Sequence, residues 1–119
     1  MIVASPELTL FDLVDFVRRR SSETWLIGQV VKDMGERAKP DRLRELAKYF
    51  PNCIVRRLGF FFDLAELTPQ ADALRCFLSP KMRHIRLNPR VLEILKLHPK
   101  YNVDERWKII INDEIEYDI

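Results

Sequence analysis

Glycine is scarce: the 119 residues hold three, at positions 28, 35 and 59. So scattered, they cannot build the glycine-rich loop that cradles a phosphate group. Histidine is equally scarce, and His84 and His98 stand in no metal-ligand spacing. The two cysteines, Cys53 and Cys76, form no CxxC and fit no zinc pattern. They read as half-buried thiols of a reducing compartment. Apolar runs are short, none near the roughly 20 residues that span a bilayer. Met1 leads directly into Ile2, Val3, Ala4 and Ser5, without a signal-peptide pattern. The expectation is a cytoplasmic protein with no membrane partner. Charge of one sign is also lacking: the net is +2, too little to argue for nucleic acid by itself.

Catalytic groups are thin as well. Asp12 and Asp15 are paired carboxylates, but their spacing puts them on a solvated helix surface. Asp104 and Glu105 fall in a loop without supporting ligands. With no nucleophile–base pair, metal cluster or phosphate cradle, neither an enzyme nor a cofactor is expected.

What is present is a helix-rich globular composition, 47% hydrophobic and 32% charged. Its length suits one domain over residues 1–119, large enough to bury a true core. Ser5 reads as an N-cap and Pro6 as the first residue of a helix over about 6–20. Leu10, Phe11, Leu13, Val14 and Val17 face inward there, and Glu7, Asp12, Asp15 and Arg19 form a polar stripe. Arg18, Arg19 and Arg20 close that helix, where cations complement its dipole. They are therefore discounted as a nucleic-acid signal. A second helix, about 22–35, carries Trp25, Leu26, Val30 and Met34, with Ser22 as a possible cap. A third, about 41–50, turns Leu43, Leu46, Ala47 and Phe50 inward and stops at Pro51.

"RRLGFFFDLAEL", residues 56–67, sets two arginines beside three phenylalanines. On a helix capped by Asn52, residues fall at about 100° intervals. Ile54, Leu58, Phe61, Phe62 and Ala65 then form one face, and Cys53, Phe60, Leu64 and Leu67 an opposite one. A narrow lane keeps Arg56, Gly59, Asp63 and Glu66. Apolar residues nearly encircle the axis, which predicts a central helix over about 53–67, buried on two sides. Gly59 lowers helix propensity by about 1 kcal/mol relative to alanine. Close approach of a neighbouring element along the lane accounts for it. Arg56 and Arg57 stand at the wrong end for the helix dipole and have no acidic residue at i+3 or i+4. Something outside the helix must neutralise them. Arg57 borders an apolar face and calls for an internal ion pair, with Glu7 or Asp12 as partner. Arg56, on the solvent lane, is the residue to contact another molecule.

A short helix over about 69–78 follows, with Pro69 in its first turn and Leu74, Phe77 and Leu78 inward. "MRHIRLNP" alternates, Ile85 and Leu87 inward, His84 and Arg86 outward, and reads as a strand. Residues 90–97 suit a short helix, and "HPKYNVDE" a loop. "RWKIIIND" is the strongest strand, with Trp107, Ile109 and Ile111 on one face. "EIEYDI" extends the sheet or forms a hairpin through Asn112-Asp113. Strands and helices do not alternate regularly, so the class is α+β: four to five helices around the central one, with a small, mainly antiparallel sheet.

Charge is segregated toward the end of the chain. Residues 73–92 hold Arg75, Lys81, Arg83, Arg86 and Arg90 and no acid. Residues 113–118 hold Asp113, Glu114, Glu116 and Asp118 and no base. Either the two segments neutralise each other across a sheet, or the first is a basic face for nucleic acid or an acidic protein. Arg86 alternates with inward neighbours, and Lys108 opposes Trp107 and Ile109. If the two strands pair, both cations share a sheet face. Phosphate contacts need only such exposed cations. The contact candidates are Arg56, Arg83, Arg86, Arg90 and Lys108.

"ASPELTLFDLV", "RRLGFFFDLAEL", and "LNP" followed by "RWKIIIND" together resemble the C-terminal domain of AbiEi-type antitoxins, components of abortive-infection, type IV toxin–antitoxin systems. The resemblance covers nearly the whole chain. It implies an α+β domain that follows a promoter-binding winged helix, supports antitoxin activity and has a nucleotidyltransferase-like toxin as its partner. The winged helix is absent here, and residues 90–102 are longer and more helical than the family's loop. The family supplies no catalytic residue. Its "RRLG" element falls on Arg56, Arg57, Leu58 and Gly59. The resemblance implies an antitoxin or regulatory domain acting by protein or nucleic-acid contact. The alternative is an accessory DNA-binding surface for a transcriptional autoregulator whose winged helix is missing.

Overall fold

The structure, a computed structural model, describes residues 5–20, 24–79, 81–87 and 103–110. Five α-helices precede a small sheet: α1 (Pro6–Arg20), α2 (Thr24–Met34), α3 (Pro40–Ala47), α4 (Asn52–Leu64) and α5 (Thr68–Arg75). A 3₁₀ turn, Gly35–Arg37, joins α2 to α3. The strands are β1 (Ile85–Arg86), β2 (Val103–Asp104) and β3 (Ile109–Ile110), in the order β1-β3-β2. The α+β class stands. The sheet is mixed rather than mainly antiparallel: β1 pairs parallel to β3, and β2 antiparallel to it.

Local chemistry explains the helix limits. Ser5 accepts the Leu8 N–H on its Oγ at 3.2 Å, the N-cap bond expected of it. Pro40 stands at the first helical position of α3, where its missing N–H costs nothing. Asn52 is not a cap. It is the first residue of α4, and its side-chain amide donates to the Phe77 carbonyl at 3.1 Å, tying α4 to the end of α5. At its other end α4 stops at Leu64, short of residue 67. Glu66 takes left-handed backbone, φ 60°. The Leu67 N–H reaches the Phe62 carbonyl and the Glu66 N–H the Asp63 carbonyl, at 2.9 and 3.0 Å. This is a Schellman closure, with glutamate where glycine is usual.

The core forms around α4. Nine consecutive residues, Ile54 to Phe62, are buried. Leu10, Phe11, Val14 and Val17 from α1, Ile27 and Val31 from α2, Leu43 and Ala47 from α3, and Ala71 and Leu74 from α5 join it in one core. Phe50 stacks on Phe11 with ring centroids 4.8 Å apart. Leu13, Leu46, Phe77 and Leu78 pack at its edge. On α2 the buried pair is Ile27 and Val31, with Val30 and Met34 beside it; the Trp25 side chain and Ser22 lie outside the described residues. Glu7, assigned to the polar stripe of α1, is instead buried. It accepts the Lys39 N–H at 3.4 Å and stands 3.8 Å from Arg42 Nε, so it holds the start of α3 against α1.

Two strand assignments change. "HPKYNVDE", read as a loop, contributes β2. Trp107 and Lys108, read as strand, belong to the turn between β2 and β3, and Lys108 is left-handed, φ 55°. The expected helix over 90–97, Ile111, and a hairpin through Asn112-Asp113 lie outside the described residues.

Candidate contact site

The lane along α4 is where helices and sheet meet. Gly59 lies directly beneath the Trp107 ring: an added Cβ would stand 2.2 Å from ring carbons Cη2 and Cζ3. The close approach expected there is thus made by one indole, not by a backbone. One turn later Asp63 accepts the Trp107 indole N–H, and it takes Arg106 on both oxygens at 3.2 and 3.3 Å. One turn earlier Arg56 holds the main chain around the same tryptophan. Its Nε donates to the Trp107 carbonyl at 3.0 Å, and one terminal nitrogen donates to the Arg83 and Lys108 carbonyls at 2.6 and 2.8 Å.

Arg56 is therefore not the solvent-facing contact residue read from the helical wheel. It is 4% exposed. Burial lowers its pKa from the ordinary arginine value, opposed by charge on Cys53. Arginine keeps its charge in proteins all the same. What compensates it is a ring of carbonyl dipoles, which serve a guanidinium's spread donors well. The charge is answered from outside the helix, as its place at the wrong end of the dipole requires, but by carbonyls of this chain and not by another molecule.

Arg57 is buried as expected, 5% exposed, and its Nη1 lies 3.5 Å from the Cys53 carbonyl one turn back. The expected partners are placed otherwise. Glu7 is taken by Lys39 and Arg42, and Asp12 is on the exposed side of α1.

The other contact candidates fare unequally. Arg83 is exposed. Because its carbonyl and that of Lys108 share one Arg56 nitrogen, the lead-in to β1 and the β2–β3 turn converge there. Lys108 is not an outward strand residue. It is partly buried and its Nζ stands 3.4 Å from Glu105. Its carbonyl also accepts the Ile85 N–H at 2.9 Å. Arg86 is on β1 opposite Ile110, but its side chain lies outside the described residues, as does Arg90. Asp63 was expected in the lane; Trp107, which fills it, was not. The signal was there in Gly59, a glycine inside an otherwise apolar helix.

Three described carboxylates of this region engage the turn itself. Asp104 accepts the Trp107 backbone N–H at 3.0 Å. Asp63 holds the indole and Arg106. Glu105 receives Lys108 and His84, each at 3.4 Å. Hydrogen bonds from Lys108 first, then from His84, pull the Glu105 pKa below the usual carboxylate range. Lys81 and Arg83, by contrast, are exposed and have no ion-pair partner among the described residues.

Among the described residues, no three His, Cys, Asp or Glu side chains converge to hold a metal ion. No helix among them is long and apolar enough to cross a membrane. No family model matches the chain, and no curated protein or solved structure matches it significantly.

Proposed function

We propose that the chain is a non-enzymatic antitoxin or regulatory domain of a type IV toxin–antitoxin, abortive-infection system. It works in the cytoplasm by macromolecular contact, with a nucleotidyltransferase-like toxin as partner. One observation carries the reading. The separate stretches that resemble AbiEi-type antitoxins are in contact in the fold. "ASPELTLFDLV" supplies the Ser5 cap and the α1 face packed on α4. "RWKIIIND" supplies the tryptophan seated on Gly59 of "RRLGFFFDLAEL". "LNP" begins with Leu87, which is buried and whose N–H bonds the Ile110 carbonyl at 2.9 Å. Residues that jointly build one junction are what a shared domain would retain, whereas scattered coincidences need not meet.

The contact surface in this reading is the exposed ground around Lys81 and Arg83, above the Arg56 tie. Co-expression with a nucleotidyltransferase-like toxin tests it. The chain, alone or placed behind a winged helix, restores growth, and Lys81→Glu with Arg83→Glu abolishes the rescue while leaving the fold intact. Failure of both forms to neutralise any such toxin contradicts the reading.

A further inference from the structure

We infer that the sheet is a releasable clasp. The described residues 81–87 and 103–110 part from α4 along Arg56, Gly59 and Asp63 while the helices stay packed. Parting turns the Arg56 guanidinium from a buried, carbonyl-bound group into a solvent-facing one. The inference goes beyond the functional reading and does not rest on it.

Much of what holds the sheet to α4 is polar. Arg56 meets the carbonyls of Arg83, Trp107 and Lys108, and Asp63 meets the indole N–H and Arg106. Water takes over each of these bonds on opening, so their net loss is small. The apolar part of the attachment is narrow. Among the described residues the sheet segments add Leu87, Trp107 and Ile109 to the buried core, whereas α4 alone adds Ile54, Val55, Leu58, Phe60, Phe61 and Phe62.

The face that opening uncovers is also suited to water. Along the lane it is an arginine, a glycine and an aspartate. Against its apolar faces α4 keeps α1, α2 and α5 when the sheet leaves. Removing one of those helices instead would wet phenylalanine and leucine. Two further features favour opening. Lys108 is left-handed, φ 55°, a conformation that costs a residue with a side chain and is given up when the turn is released. The strands are two residues long, too short to stand without the lane. Their bonds therefore break with the docking contacts and report on one event.

Native-state hydrogen exchange of the full chain in low denaturant reads that event. The Trp107 indole N–H and the Ile85 and Leu87 N–H groups are expected to exchange through one shared opening. Their protection should be about a hundredfold less than that of the Leu58 and Phe61 N–H groups of α4, with a smaller denaturant slope. Modification of Arg56 by phenylglyoxal, mapped by mass spectrometry, is expected to follow the sheet's opening and not the rarer one of α4. Leu43→Ala, on α3, weakens the helical core in the closed and opened states alike. It is expected to lower α4 protection at least about tenfold and to leave that of the sheet groups unchanged. If that variant does not fold, the wild-type chain decides by itself. Equal protection and equal slope for the two sets overturn the inference, because helices and sheet then open as one. An equal fall of both sets in Leu43→Ala overturns it too, as does an Arg56 modified no faster than α4 opens.

Discussion

The two sides of α4 are held by different means. Toward α1, α2 and α5 the attachment is apolar area: Ile54, Leu58, Phe61 and Phe62 are all fully buried. Each such side chain contributes about 1.5–3 kcal/mol on burial. Toward the sheet it presents Arg56, Gly59 and Asp63, and the attachment is one indole ringed by hydrogen bonds. The apolar side tolerates exchange of one aliphatic shape for another. The lane does not, because each of its members does something no other residue type does. The comparison teaches that a helix can be buried all round and still have two kinds of side, one generic and one specific.

The largest effect is expected at the specific side. Trp107→Ala removes the indole, leaves Asp63 without its indole donor, and empties the space over Gly59. Loss of about 4 kcal/mol is expected from chemical denaturation. Arg56→Met should follow closely, near 3 kcal/mol, because the Trp107 and Arg83 carbonyls lose the Arg56 donor and the Lys108 carbonyl keeps only the Ile85 N–H. If instead Leu58→Ala proved far costlier than either, the sheet would be a passenger on an apolar core.

This contrast also explains what could be read from the sequence. Apolar periodicity is local, so α1, the inward face of α3 and the two-sided burial of α4 were legible, as was the Ser5 cap. The lane was misread because its polar residues looked like a solvent stripe. The partner that buries Arg56 comes from 51 residues further along the chain, where no helical wheel looks. Glu7 was misread for the same reason, its partners being 32 and 35 residues away on α3. β2 was missed because two residues of strand carry no alternation. Trp107 was given to a strand because "RWKIIIND" alternates, but the left-handed Lys108 breaks that alternation before β3 begins. Of the candidate contact residues, Arg83 kept its place on the surface.

Smaller effects sharpen the comparison at the ends of α4 and at the rim. Glu66→Gly should stabilise by about 1 kcal/mol, read as a raised Tm, since glycine takes left-handed backbone without the penalty glutamate meets. That gain should be the same whether or not Trp107 is present, because the Schellman closure belongs to the chain and not to the lane. Glu105 gives the smallest signal. Its carboxylate pKa is depressed in the fold, so its contribution is fully present above the ordinary glutamate value and lost as pH falls through the lower folded one. Glu105→Gln should therefore flatten the acid limb of the stability profile slightly and leave the neutral and alkaline range nearly parallel to wild type.

The most direct measurement is a double-mutant cycle between Gly59→Ala and Trp107→Leu, read by denaturant unfolding. With Trp107 present, the added methyl has no room and should cost about 3 kcal/mol. With leucine at 107 the same change should be neutral or stabilising, since alanine is the better helix former. A coupling of about 2 kcal/mol or more is the expected result. Equal costs in the two backgrounds would mean that the indole does not rest on Gly59, and the lane would lose its meaning as the seat of the sheet.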